Sequence, residues 1–163
     1  MKILFVCLGN ICRSSTAEEV FRTLTHRRGI SRQFEVDSAG TSSYHEGELP
    51  DARMRSAARQ FGYELTHRSR PVRESDFSHF DLLIAMDESV ERSLLRLAST
   101  EEAKLKVRRM ADYLSVPRPQ RDIPDPYYGG AEGFRNVVAL LEDACAHLLQ
   151  QLEAKSRCDK KSL

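Results

Sequence analysis

Segment 2–7 is dominated by a continuous apolar run, which is typical of a strand buried on both faces of a sheet. From Ser14 onward the apolar residues have helical spacing, at Ala17, Val20, Phe21 and Leu24. Gly29 then predicts the end of that helix. A buried strand followed at once by an amphipathic helix is the repeating unit of parallel α/β sheets, so the first thirty residues already favour that fold class.

The same alternation continues along the chain. Further strands are predicted at 34–38, 82–86 and 107–110, and helices at 52–61, at 90–97 and at 134–152. Apolar strands that alternate with helices predict βαβ units, and therefore a three-layer α/β/α fold with a parallel sheet and helices on both faces. In such sheets ligands bind at the carboxyl ends of the strands.

Composition and charge exclude several classes of protein. The 163 residues suit one domain, and 40% hydrophobic with 30% charged residues is ordinary globular usage. The formal net charge of +1 gives no broad field for nucleic acid. The longest apolar runs are far shorter than the roughly 20 residues of a membrane helix, and the N-terminus does not read as a signal peptide. We therefore expect a cytoplasmic protein with neither a nucleic-acid nor a membrane partner.

The four cysteines are Cys7, Cys12, Cys145 and Cys158. A disulfide framework is not expected in a cytosolic chain, and their spacing does not match a zinc site. Cys145 falls on the apolar stripe of the last predicted helix and is interpreted as a core residue, while Cys158 lies in a charged tail. Cys7 and Cys12 remain as candidates for chemistry, because they share one short segment.

That segment joins the first strand to the first helix and reads Cys7-Leu8-Gly9-Asn10-Ile11-Cys12-Arg13-Ser14. A strand-loop-helix junction gathers free backbone N–H groups and the positive end of a helix, which together bind anions. Gly9 and Asn10 tolerate the left-handed backbone angles that a loop around an oxyanion needs. The sequence therefore predicts an anion site here.

Three side chains of this loop suit phosphoryl chemistry. We expect Cys7 to be a thiolate nucleophile, Arg13 to bind two phosphoryl oxygens, and the Ser14 hydroxyl to donate to the thiolate. An aryl leaving group also needs a proton, which Asp125 could supply from the irregular segment 112–130. Taken alone, the Cys-x5-Arg spacing proves little, and Asp125-Pro126-Tyr127-Tyr128 also fits a turn with surface tyrosines.

Taken together, these motifs resemble the low-molecular-weight protein tyrosine phosphatases. The family signature is Val6 to Ser14 and the acid loop is Asp125 to Tyr128, with further likeness at 36–41 and 85–87. The likeness covers about residues 2–152. It implies a four-stranded parallel sheet and a two-step phosphomonoesterase that needs no metal or cofactor, with Cys7 as nucleophile and Asp125 as acid and then base.

The resemblance also implies roles for other residues. The phosphate-binding loop would comprise Leu8, Gly9, Asn10, Ile11, Cys12 and Ser14, around the catalytic Arg13. Ser38 and His67 would support the loop by hydrogen bonds with Asn10 and Ser14. Walls around the substrate ring would be formed by Leu8, Ile11, Tyr44, Tyr127 and Tyr128. Cys12 would form a reversible disulfide with Cys7. The expected partners are phosphotyrosine-containing proteins, and the protein is expected to be a monomer.

Three departures from the family pattern affect these expectations. Ser15 stands where many members have proline, segment 115–124 looks longer than usual, and residues 154–163 have no recognisable counterpart. We therefore place the domain at residues 1–153 and expect residues 154–163 to form a disordered basic tail.

Several rival functions share this scaffold. An arsenate reductase is disfavoured, because it relays electrons through cysteines that are missing between Cys12 and Cys145. A phosphoarginine phosphatase is a closer alternative, although members of that branch resemble each other in carrying Thr where this chain has Ile11. A non-catalytic phosphate-binding module is the third alternative, but such a protein would be expected to have lost Cys7, Arg13 or Asp125.

Overall fold

Four parallel strands form one sheet at the centre of the computed structural model, which describes residues 1–161. The strands are β1 (Lys2–Cys7), β2 (Glu35–Gly40), β3 (Leu82–Ala85) and β4 (Val107–Arg109), in the order β2-β1-β3-β4. β1 is therefore central, with Cys7 opposite Gly40 at its carboxyl end. The predicted α/β fold with a four-stranded parallel sheet is confirmed.

Helices cover both faces of the sheet. One face is covered by α1 (Arg13–Arg27), α2 (Ala52–Gln60) and α6 (Ala131–Lys161), and the other by α3 (Asp76–His79), α4 (Glu88–Leu97) and α5 (Glu101–Leu105). Alternate residues of β1 point to opposite faces of the sheet. Ile3 and Phe5 pack on the face covered by α1, α2 and α6, and Leu4 and Val6 pack on the face covered by α3, α4 and α5. This burial on both sides explains why β1 reads as an unbroken apolar run.

The helix ends bring polar side chains to the same edge of the sheet. Asp87 follows β3 and caps α4 by accepting from the Val90 N–H at 2.8 Å. Asp51 caps α2 in the same way through the Arg53 N–H. Both aspartates therefore have a structural task, and both also contact the chain shortly after β1, Asp51 at the Ile11 carbonyl and Asp87 at Arg13.

The C-terminal helix differs from expectation. The sequence predicts disorder from residue 154, but α6 continues through Lys161, while residues 162–163 lie outside the described part of the chain. Adding residues to an existing helix costs little, and Ala154 and the neighbouring lysines are good helix formers. An ion pair from Arg28 to Glu153 also holds the helix against α1 where the expected tail begins. The short helices α3 and α5 were not predicted either.

Within residues 1–161, no helix has both the length and the apolar character to cross a bilayer.

Candidate active site

The loop between β1 and α1 is shaped around Asn10. Its backbone has a left-handed φ of 56°, and its side chain is fully buried. The amide nitrogen donates to Ser14 Oγ at 2.8 Å and to Ser38 Oγ at 3.0 Å. The amide oxygen accepts from the Arg70 N–H at 3.0 Å and lies 3.0 Å from His67 Nε2. Asn10 therefore uses its full hydrogen-bonding capacity to tie the loop to β2 and to segment 67–70.

Behind Asn10 a second layer of polar groups completes the support. Ser38 Oγ donates to Glu18 Oε2 at 2.6 Å, and His67 Nδ1 lies 3.2 Å from the same carboxylate oxygen. Ser38 and His67, which the sequence interpretation assigned to loop support, thus lie against Asn10 and share one carboxylate partner. Glu18 was not anticipated, because on helix α1 a glutamate reads as an ordinary surface residue.

Cys7 lies at the base of the loop with only 2% of its surface exposed. Its Sγ accepts from the Asn10 N–H at 3.2 Å and lies 3.0 Å from Ser14 Oγ. The Asn10 amide donates to Ser14 Oγ, so the serine proton can point to the sulfur or to the Ala39 carbonyl, which lies 3.4 Å from Ser14 Oγ. The Asn10 N–H and the Ser14 hydroxyl thus both lie within hydrogen-bonding distance of Sγ.

Gly40, at the end of β2, allows the loop to pass close to the sheet. A Cβ placed on this residue would lie 2.7 Å from the carbonyl oxygen of Leu8, which is closer than real contacts allow. Next along the chain, the Thr41 N–H donates to the Cys7 carbonyl and the Ser42 N–H to that of Leu8, both at 2.9 Å. The first turn after β2 thus holds the loop that follows β1 by its backbone.

Arg13 opens helix α1, and its side chain returns to the loop with 3% exposure. Its NH1 group donates to Asp87 Oδ2 at 2.6 Å and to the carbonyl of Ile123 at 3.0 Å, while NH2 lies 3.5 Å from Asp125 Oδ2. Burial alone favours the neutral guanidine, but the negative charges of Cys7, Asp87 and Asp125 outweigh it and raise the pKa of Arg13. The structure thus fixes a permanent cation beside the loop.

The long segment before Asp125 is anchored to the carboxyl edge of β3. Ile123 is fully buried, and its N–H donates to the Met86 carbonyl at 2.8 Å. Asp122 accepts from the Glu88 N–H at 3.0 Å. Asp125 then follows, with Oδ1 accepting from the Tyr127 N–H at 3.1 Å and the side chain 40% exposed. Whatever the length of segment 115–124, these bonds bring Asp125 to Arg13.

A cleft of about 450 Å³ opens above the loop. Most residues assigned to the loop and walls line it, namely Cys7, Leu8, Gly9, Ile11, Cys12, Arg13, Tyr44, Asp125, Tyr127 and Tyr128. Tyr44 and Tyr128 are 84% and 95% exposed, so they form the rim rather than the floor. Ser42 and His45 also line the cleft but were not anticipated. Both belong to a turn-rich segment that carries no distinctive motif.

Cys12 lies in the same loop, buried at the start of α1. Burial, reinforced by the charge of Cys7, raises the pKa of its thiol. Its carbonyl accepts from Ser15 Oγ at 3.2 Å and from Thr16 Oγ1 at 2.7 Å. Ser15, the residue found where many members have proline, therefore adds a side-chain bond to the turn where the helix begins.

Within residues 1–161, Glu18, Asp37 and His67 form a group that could in principle hold a metal, with ligand atoms within 4.8 Å of one another. Cationic side chains already occupy the two carboxylates: Arg22 NH2 lies 2.5 Å from Glu18, and Arg70 Nε lies 3.1 Å from Asp37. A divalent ion would compete with these guanidinium groups, so the cluster is better described as an ion-pair network behind the loop.

The geometry defines a class of site. A thiol with two donors, a buried arginine and a carboxylate meet at the carboxyl edge of a parallel sheet, beside a helix N-terminus, as suits the binding of a phosphoryl group. Comparison with known proteins agrees, because a sequence model described as low molecular weight phosphotyrosine protein phosphatase matches residues 2–158. The chain belongs to this family, whose members are hydrolases, and the resemblance seen in its motifs is confirmed.

Individual relatives span nearly the whole chain. A low molecular weight protein-tyrosine-phosphatase of Streptomyces coelicolor is 42% identical over 160 residues, which covers 95% of this chain and 98% of the relative. The crystal structure of a protein tyrosine phosphatase from Entamoeba histolytica superposes with a TM-score of 0.91 at 44% identity, covering 96% and 99% of the two chains. An arginine phosphatase from Drosophila gives 0.86 at 33% identity, covering 93% and 98%.

Proposed function

We propose that the protein hydrolyses phosphotyrosine in proteins, and small aryl phosphates, through a cysteinyl-phosphate intermediate. The observation that carries this proposal is the meeting of Cys7, Arg13 and Asp125 at one cleft, in a chain of the phosphotyrosine phosphatase family. The alternative of a non-catalytic binding module is weaker, because a module that only bound phosphate would have no need of both a nucleophile and an acid.

In the first step the Cys7 thiolate attacks phosphorus, and Asp125 gives its proton to the departing phenol oxygen. NH1 of Arg13 is occupied by Asp87 and Ile123, so the Nε and NH2 edge is the one available to two phosphoryl oxygens. Free N–H groups of the loop and of the first turn of α1 add donors to the same oxygens. These groups stabilise the negative charge of the phosphoryl group in the transition state.

In the second step Asp125 acts as a base and takes a proton from water, which attacks the phosphorus of the phosphocysteine. The S–P bond breaks and inorganic phosphate leaves. The Ser14 hydroxyl, 3.0 Å from Sγ, donates to the thiolate as it forms and so improves it as a leaving group. This cycle requires no redox partner and no bound cofactor.

The covalent intermediate provides the test. Acid quench during turnover of a phosphotyrosine peptide should give a phosphate adduct on the peptide that contains Cys7, detected by mass spectrometry. Asp125→Asn should slow formation of this adduct by about 10² to 10⁴, the range attributed to general acid catalysis. Turnover without any adduct at Cys7, or full activity of Cys7→Ser, would show that the nucleophile is misassigned.

A phosphoarginine phosphatase is the second candidate, because an arginine phosphatase is among the similar structures. Ile11 lines the cleft and is 7% exposed, so it offers an apolar contact that suits a phenyl ring better than a guanidinium group. We expect kcat/KM for a phosphotyrosine peptide to exceed that for a phosphoarginine peptide. Ile11→Thr should reduce the ratio of the first kcat/KM to the second. A preference for phosphoarginine in the parent protein would reverse the assignment.

We also propose that the protein acts as a cytoplasmic monomer. None of the four cysteines forms a disulfide within residues 1–161, and a thiolate nucleophile stays active only where thiols are kept reduced. Light scattering tests the monomer, and fractionation of the source cells tests the location.

A further inference from the structure

Arg53, in the first turn of α2, takes no part in the chemistry described above, yet its side chain contacts Tyr127, which lines the cleft. Its guanidinium group grips Asp51 at two points, with Nε 3.1 Å from Oδ1 and NH2 3.0 Å from Oδ2. The Arg53 N–H also donates to Oδ1 at 2.8 Å. Since a two-point contact with a carboxylate fixes the guanidinium plane, the side chain has one defined orientation.

The same guanidinium group lies over two aromatic rings. Its Cζ atom is 5.2 Å from the centroid of the Tyr127 ring and 4.7 Å from that of Phe134, both within the range of a cation–π contact. Tyr127 follows Asp125 by two residues and donates its N–H to that carboxylate. Phe134 is fully buried in the first turn of α6. Arg53 therefore contacts both ends of the segment that connects the acid to the last helix.

Asp51 links this contact to the nucleophile loop. Its N–H donates to the carbonyl of Ile11 at 2.8 Å, and its side chain is 13% exposed. A continuous path thus runs from the Ile11 backbone through Asp51 and Arg53 to Tyr127. Arg13 also links the two loops, because its NH1 group donates to the Ile123 carbonyl at 3.0 Å and its NH2 group lies 3.5 Å from Asp125. A phosphoryl group held by Arg13 would disturb the contact with Asp125.

We propose that Arg53 is a positioning residue for the general acid. By holding the Tyr127 ring at a fixed position relative to the phosphate-binding loop, it keeps Asp125 next to the leaving oxygen of the substrate. This inference rests on the role proposed above for Asp125. A misplacement of about 1 Å can cost about 10² in rate, so the loss of Arg53 should fall on the step that needs the acid. Phosphate binding by Arg13 should change little.

Arg53→Met removes the cation and keeps a long side chain, and Arg59→Met is its matched control. Arg59 lies on the same helix, is similarly exposed and grips Glu64 at two points, at 3.0 and 2.9 Å. Single-turnover formation of the phosphoenzyme is measured with phenyl phosphate and with dinitrophenyl phosphate, whose phenolate leaves without a proton. We expect Arg53→Met to slow phosphoenzyme formation by about 10- to 100-fold with phenyl phosphate and by less than about twofold with dinitrophenyl phosphate. Arg59→Met should match the parent on both.

The same measurement on Asp125→Asn, alone and combined with Arg53→Met, separates the possible failures. If Arg53 acts through the acid, it adds less than about twofold once Asp125 is replaced. The role of Arg53 would be refuted if Arg53→Met slowed phosphoenzyme formation equally with both substrates. It would also be refuted if the rate losses of the two single variants multiplied in the double variant. Neither result would contradict Asp125 as the general acid. If Asp125→Asn itself loses equally on both substrates, the acid assignment fails, and this inference fails with it.

Thermal unfolding of each variant shows whether it is folded at the assay temperature. If Arg53→Met is not, Arg53→Lys takes its place, because it keeps a cation near the ring but not the planar two-point contact. We expect the same dependence on the leaving group with a smaller loss. A loss that does not depend on the leaving group would again refute the proposal.

Discussion

Replacing Asn10 perturbs the loop at the residue that carries most of its support. The side chain is fully buried and makes four contacts, two through its nitrogen and two through its oxygen. Asn10→Ala leaves the Arg70 N–H and the His67 ring without this acceptor and deprives Ser14 and Ser38 of a donor. Each buried donor left unpaired costs about 1 to 3 kcal/mol, and each further hydrogen bond lost costs about 0.5 to 1.5 kcal/mol.

Taking the lower ends of these ranges, we expect Asn10→Ala to lower the free energy of unfolding by about 3 kcal/mol. Alanine at a φ of 56° adds backbone strain that glycine avoids. Asn10→Gly loses the same hydrogen bonds without that strain, so it should be less destabilised than Asn10→Ala by about 1 kcal/mol. The difference between the two variants thus isolates the backbone effect from the hydrogen bonds.

Urea unfolding at neutral pH measures both free energies, provided that the m value matches the parent. Asn136→Ala is the control, because this second asparagine lies exposed on α6 and its replacement should be neutral or slightly stabilising. Inhibition by inorganic phosphate reports on the loop itself and should weaken in both Asn10 variants. If Asn10→Ala stays within about 1 kcal/mol of the parent, or if glycine is worse than alanine, the account of the loop is wrong.

Three further predictions follow from the same site. EDTA should leave the hydrolysis rate unchanged, because Arg13 and the loop amides supply the positive charge; a loss restored by a divalent ion would contradict this. Mild peroxide should inactivate the protein reversibly, as the Cys7 thiolate is oxidised to a sulfenic acid that condenses with the Cys12 thiol to give a disulfide and water. Cys12→Ser should then recover less activity on reduction than the parent, and equal recovery would exclude the protective role. Burial alone raises the pKa of Asp51, but hydrogen bonds from Arg53 outweigh it and leave that pKa lowered. The resulting stability is present above the unfolded pKa of about 3.9 and lost as the pH falls through the folded value, so Asp51→Asn should flatten the acid side of a plot of unfolding free energy against pH.

The sequence reveals the part of the site that is local in the chain. Cys7 and Arg13 belong to one strand-loop-helix junction, so their spacing and their placement at a sheet edge are visible without a structure. Asp87 and Arg53 are different, because each has an ordinary local explanation as a helix cap or a surface cation. Their contacts with Arg13 and Tyr127 depend on how distant segments pack, which no local pattern contains. The end of α6 escaped prediction for a related reason, since its last residues extend an existing helix and bury little.

Arg13 connects the phosphate-binding loop to the segment that carries Asp125. Its NH1 group binds both Asp87, which follows β3, and the carbonyl of Ile123, which fixes the path of the chain toward Asp125. Removing Arg13 would leave Asp87 without its buried partner, and it would remove the contacts with Ile123 and Asp125 together with the phosphate-binding edge. Removing the sulfur of Cys7 leaves this arrangement intact. Cys7→Ser is therefore the variant that should bind phosphoproteins without turning them over, and Arg13→Ala the one that should fail to bind them. Pull-downs with the two variants, compared side by side, would show whether capture depends on the phosphate site.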